Sequence, residues 1–263
     1  MGVISRLSTW GQWLTHDPVG FIIYLVYNVV CILLTLILHE VAHGYVAWRC
    51  GDPTAKMLGR LSLDPRKHLD PIGTVCMVLF GFGWAKPVPV NPRNFDNYRR
   101  DDLLVSLAGV TVNFTLYLLC TSLAVFLNGL VWKDFIINAF GVHDLVCYGG
   151  TGYAALVLGE DIAFYLQTPW LQYVQRFLLL FGGMNLCVAI FNLLPIPPLD
   201  GYHVLNDLLL RGRFSLSGNA FRITHVVLMA LCFTGVLSKL LHIVIGFVDD
   251  AVVNLFVRMA GLG

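Results

Sequence analysis

Charge is scarce in this chain of 263 residues, and glutamate scarcest of all, with only Glu40 and Glu160. Charged residues make up 13% against 57% hydrophobic, and the mean hydropathy is +0.73, which excludes a soluble domain of ordinary composition. A net charge of +1 argues neither for nucleic acid nor for an acidic partner. The seven cysteines (31, 50, 76, 120, 147, 187 and 232) stand singly, with no CxxC pair. That spacing excludes a disulfide framework and a cysteine zinc site; most lie in apolar segments, where a thiol acts as a small hydrophobe. Arg6 is the only basic residue before the first apolar run, so no cleaved signal is expected.

What is present is a set of long uncharged segments. The first span covers about 21–48, the second about 103–132, the third about 177–199 and the fourth about 223–248. The fourth is broken by Lys239 and His242. Two shorter stretches, Ile72 to Ala85 and Leu145 to Gly159, carry several glycines and read as re-entrant or interfacial. The expectation is a single all-α integral-membrane domain over 1–263, a bundle of four to six helices with a membrane-associated loop at about 72–92. Nine Lys or Arg lie from Arg49 to Arg100 and a single Lys from Lys133 to Trp170. The positive-inside rule then puts 49–102 and 200–222 in the cytoplasm and both termini outside.

Inside the first span lies Leu38-His39-Glu40-Val41-Ala42-His43. His39 and His43 are four apart, so on a helix both imidazoles face one way and can share one Zn²⁺. Glu40 is placed to take a proton from an activated water. Ionisable groups at membrane depth are costly and usually functional. A catalytic zinc takes three protein ligands. The HExxHxxGxxH pattern fails, since Val46 and Arg49 occupy the Gly and His positions. A downstream Glu is disfavoured because Glu160 falls in the outside segment. Two aspartates remain. Asp64 sits in a basic, polar stretch. Asp200 follows Pro195, Pro197 and Pro198, which break the third helix near the membrane face and let it turn back; it is favoured.

These residues resemble the site-2 protease family of intramembrane zinc metallopeptidases. HEVAH matches the family's HExxH, and Asn192-Leu193-Leu194-Pro195-Ile196-Pro197-Pro198-Leu199-Asp200-Gly201 matches its NxxPxPxxDG block. Gly59 to Pro65, His68 to Gly73 and Gly83 to Pro92 resemble the segment after the first catalytic helix and the membrane-associated loop. Val110 stands where the family's AGPxxN has proline, within Ala108 to Asn113. The resemblance implies one Zn²⁺ per chain held by His39, His43 and Asp200, with Glu40 as catalytic base. It implies cleavage of membrane-protein substrates in or beside their transmembrane segments, in the lipid bilayer.

Other polar residues carry weaker expectations. Asn192 could bind the developing oxyanion, or satisfy carbonyls freed by the prolines. Asn113 and Asn185 read as links between helices. His203 reads as an interfacial histidine with a possible supporting role beside Asp200; His68, His143, His225 and His242 read as unpaired. The segment 81–92, with tryptophan and alternating prolines, suits an extended strand whose free edge could accept substrate.

Overall fold

The computed structural model describes residues 3–80, 83–147, 162–210 and 217–262. Its elements, in chain order, are α1 (Val3–His16), α2 (Pro18–Arg49), α3 (Thr54–Met57), α4 (Pro65–His68), α5 (Pro71–Phe80), α6 (Tyr98–Val131), α7 (Asp134–Cys147), α8 (Ile162–Tyr165), α9 (Leu171–Asn192), α10 (Asp200–Leu208), α11 (Gly218–Thr234) and α12 (Val236–Met259). Four of these, α2, α6, α9 and α12, are long and apolar enough to cross a membrane. The architecture is all-α, as expected.

Local chemistry sets the boundaries. Asp17 caps α2 by accepting from the Gly20 amide at 2.9 Å, with Pro18 following in the first turn. Asn97 caps α6 in the same way, and the Asp101 carboxylate reaches back to the Asn97 amide at 2.7 Å. Helix α6 is continuous through Val110, which stands where the family has proline. Helix α9 ends at Asn192, earlier than the expected Leu199, because Pro195 cannot continue it. The expected span at 223–248 is corrected: Gly235, at φ +74°, separates α11 from α12, and α12 runs on to Met259. Of the segment expected to associate with the membrane, 71–80 is helical and 83–91 is non-helical, with a bridge at Ala85. Most of Leu145 to Gly159, and Glu160 and Asp161, lie outside the described residues.

Helix α6 is the central post, packed by α2, α9 and α10. Cys31 from α2, Cys120 and Ala124 from α6, and Leu178 and Phe181 from α9 form one buried cluster. Polar bridges run through this apolar packing. The Asn185 amide on α9 donates to Thr35 Oγ1 on α2 at 3.1 Å, the interhelical link expected of it. Gln175 accepts from Trp132 Nε1 and donates to Asn128 Oδ1. Helix α9 is thereby bonded both to α2 and to α6.

Candidate metal centre

His39 and His43 lie one turn apart on α2, both buried, and Asp200 opens α10. The structure brings all three together. His39 Nε2 and His43 Nε2 are 3.0 Å apart, and each is 3.3 Å from Asp200 Oδ2. That oxygen is buried and has no hydrogen-bond partner. Three lone-pair atoms thus point at one another with nothing between them to satisfy the carboxylate, an arrangement that is costly unless a cation joins them. Zinc ligands of this type sit about 2.0–2.1 Å from the ion, so two corners of a tetrahedron are about 3.3–3.4 Å apart. The observed edges fit that face, and the donor set, two imidazoles and a carboxylate, suits Zn²⁺.

The surroundings fix the imidazoles. His43 Nδ1 is 2.7 Å from the Val105 carbonyl, which can only accept, so Nδ1 carries the proton and Nε2 is left free as a ligand. His39 Nδ1 is 3.2 Å from the Asn113 amide, whose Oδ1 is buried without a partner. Turning that amide over lets Oδ1 accept from Nδ1–H and frees His39 Nε2 in the same way. Asn113 therefore links helices, as expected, and it does so through His39. Gly109, one turn before Asn113, makes room: a Cβ there would lie 2.5 Å from His39 Cε1 and 2.6 Å from His43 Nε2. Gly201 is crowded by the Leu193 and Leu194 carbonyls, and its lack of a side chain lets α10 start close enough to turn Asp200 inward.

Glu40, beside His39 on α2, is held by another segment: its Oε2 accepts the Val88 amide at 2.8 Å. Val88 belongs to the 83–91 segment, which bridges antiparallel at Leu69 and Ala85 and gives its Lys86 amide to the His68 carbonyl. Arg60 covers the Lys86 and Pro87 carbonyls, and Asp52 takes the Asn91 amide. Much of the edge expected to receive substrate is therefore already bonded. Asp64, the rival ligand, is exposed and caps α4 through the Arg66 amide at 3.1 Å. Asn192 donates to the Val188 carbonyl at 3.0 Å on its own helix. His203 Nδ1 is 3.1 Å from Asp102 Oδ2, tying α10 to α6.

A family model described as "Peptidase family M50" matches residues 27–235, which include both halves of this site. The chain belongs to peptidase family M50. It is 36% identical over 230 residues to a Bacillus subtilis (strain 168) protein named "Putative zinc metalloprotease YwhC", covering 88% of this chain and 90% of that one. It is 29% identical over 216 residues to "Putative zinc metalloprotease Rip2" of Mycobacterium tuberculosis (strain H37Rv), covering 78% of this chain and 68% of that protein. No solved structure matches. As an M50 peptidase, the chain carries its HExxH on a helix long and apolar enough to span a bilayer.

Proposed function

We propose that this M50 peptidase is an intramembrane zinc metalloendopeptidase that cuts peptide bonds within or next to the transmembrane segments of membrane proteins. His39, His43 and Asp200 hold the ion and Glu40 is the general base. The observation that carries this reading is the orphaned Asp200 oxygen 3.3 Å from two imidazole nitrogens, on a membrane-length helix. Bound there, Zn²⁺ supplies Lewis acidity toward a scissile carbonyl and brings the pKa of a water toward ~7. Glu40 takes the proton from the attacking water and later passes it to the leaving amine. The Val88 amide holds the Glu40 carboxylate in place for both transfers. Asn192 serves the oxyanion once its amide leaves the Val188 carbonyl. We place the protein in the cytoplasmic membrane, and the charge distribution supports an active site near the cytoplasmic face and both termini outside.

The test is zinc content and cleavage of a single-span membrane substrate in detergent, wild type against Glu40→Gln. Retained zinc with cleavage lost in the variant supports the assignment. Full cleavage by Glu40→Gln removes Glu40 as the base, and failure of His39→Ala to lower zinc content removes the ligand set.

A further inference from the structure

Far along the chain from the HExxH, a second group of metal-ligating side chains meets. His143 and Cys147 lie one turn apart on α7, after a break at Gly141 (φ +76°), and Asp250 faces them from α12. His143 Nε2 is 3.0 Å from Asp250 Oδ1, Cys147 Sγ is 3.5 Å from His143 Nε2, and Cys147 Sγ is 3.9 Å from Asp250 Oδ1. With zinc–sulfur at about 2.3 Å and zinc–nitrogen or –oxygen at about 2.0 Å, tetrahedral corners lie about 3.3 Å (N to O) and about 3.5 Å (S to N or O) apart. Each observed edge is within about 0.4 Å of those values.

Two further contacts favour a ligand role. Asp144 Oδ1 is 3.0 Å from His143 Nδ1, the carboxylate support that orients a metal-binding imidazole with Nε2 forward. Asp249 and Asp250 sit inside a helix of membrane length, where a carboxylate needs a partner. Asp249 has one, the Tyr117 hydroxyl at 2.8 Å. Asp250 remains largely exposed and turns to His143 and Cys147. Valines 142 and 146 of α7 and 253 and 257 of α12 pack together beside the group, so the two helices are already in register.

We propose that His143, Cys147 and Asp250 form a second metal site, which binds a borderline divalent transition ion such as Zn²⁺ and fastens α7 to α12. The thiolate and imidazole favour such an ion over Mg²⁺ or Ca²⁺. On binding, the Cys147 thiol proton leaves to solvent and water completes the coordination. An imidazolium pairing Asp144 and Asp250 gives the same His contacts but leaves Cys147 without a metal bond, and this difference makes the two readings separable.

Co²⁺ is the probe, titrated into the metal-free full chain in detergent. The set at His39, His43 and Asp200 contains no sulfur, so a thiolate-to-cobalt charge-transfer band reports the second site alone. The band is expected in wild type and in His39→Ala/His43→Ala, absent from Cys147→Ser, and displaced by Zn²⁺. Cys147→Ser should still show the sulfur-free cobalt spectrum of the first site, which certifies its fold. Zinc content should fall by about one equivalent in both His143→Ala and Cys147→Ser. No band in wild type, a band surviving Cys147→Ser, or a band seen only at large Co²⁺ excess overturns the proposal. None of these results depends on protease activity.

Discussion

Gly109→Ala should disarm the proposed His39, His43 and Asp200 set without replacing any of its three side chains. A methyl at this position arrives 2.5 Å from His39 Cε1, 2.6 Å from His39 Nδ1 and 2.6 Å from His43 Nε2. Ordinary contact begins at 3.4 Å, so the rings must retreat by about 0.8 Å or the α6 backbone must move away by as much. Neither is cheap. His43 is pinned by the Val105 carbonyl at 2.7 Å and His39 by Asn113, both on α6 itself, so moving the helix drags the supports off the rings. Metal–ligand distances tolerate about ±0.2 Å. The expected cost is a loss of zinc affinity of about 10- to 100-fold or more, which is roughly 1.4–2.8 kcal/mol. The assay is competition for zinc against a chromophoric chelator in detergent, with cleavage measured at saturating zinc. Gly129→Ala on the same helix, where nothing lies within 4 Å, is the control and should match wild type. Wild-type zinc affinity in Gly109→Ala would refute the packing argument, and with it the placement of both imidazoles against α6.

Three other perturbations probe separate links. Asn113→Ala removes the support of His39 Nδ1 and should weaken zinc binding about 10- to 100-fold by the same competition assay, with Asn113→Asp partly restoring it. Val88→Pro deletes the amide that holds Glu40 at 2.8 Å, a bond to a charged group worth about 1.5–3 kcal/mol. Zinc content should stay and kcat should fall, while Val88→Ala keeps the amide and should retain most activity; an equal loss in both would place the effect in the side chain. His203→Gln tests pH dependence. The Asp102 carboxylate raises His203 above its ordinary 6.5 despite burial, so its stabilisation is complete below pH 6.5 and is lost as pH rises through the raised value. Burial, with Asp102 beside it, pushes Asp207 up to about 6, so that group also loses stability as pH rises, over a lower window between 3.8 and about 6. The margin of wild type over His203→Gln in thermal unfolding should be no more than about 1 kcal/mol, because the ring is partly exposed, and should shrink above pH 6.5. A margin that grows with pH contradicts the pairing.

The convergence of His39, His43 and Asp200 was legible because its signals are local. Four-residue spacing puts His39 and His43 on one face, and a proline run followed by Gly201 announces a chain reversal at Asp200. What sequence reading missed depends on the partners that answer each charge, some a turn away and some distant in sequence. Counting uncharged windows started the third span at Phe177, yet α9 begins at Leu171 because Arg176 is served by Gln172 at 2.8 Å. It ended the fourth span at Val248, yet α12 continues because Asp249 meets Tyr117 and Asp250 meets His143. His143 read as unpaired, yet it meets the adjacent Asp144 and, from more than a hundred residues on, Asp250. A charge stops a span on paper, but in the fold it stops one only if nothing answers it.

That same rule explains how the first site is divided. Its two histidines are buried on α2 and braced by α6. Its carboxylate rides on α10, a nine-residue helix tied to α6 by His203 on Asp102 at 3.1 Å and by Arg99 donating to the Asp207 carbonyl at 2.7 Å. Both ties are polar and partly exposed, so each is individually weak. A cation shared by Asp200 and the histidines would add a link between α10 and α2, and removing it should loosen α10 before it loosens α2. Hydrogen exchange with and without chelator reads this directly: amides of 200–208 should lose protection first, while those around 35–43 hold. Equal loosening of both segments would show that the two halves of the site rest on one unit of structure.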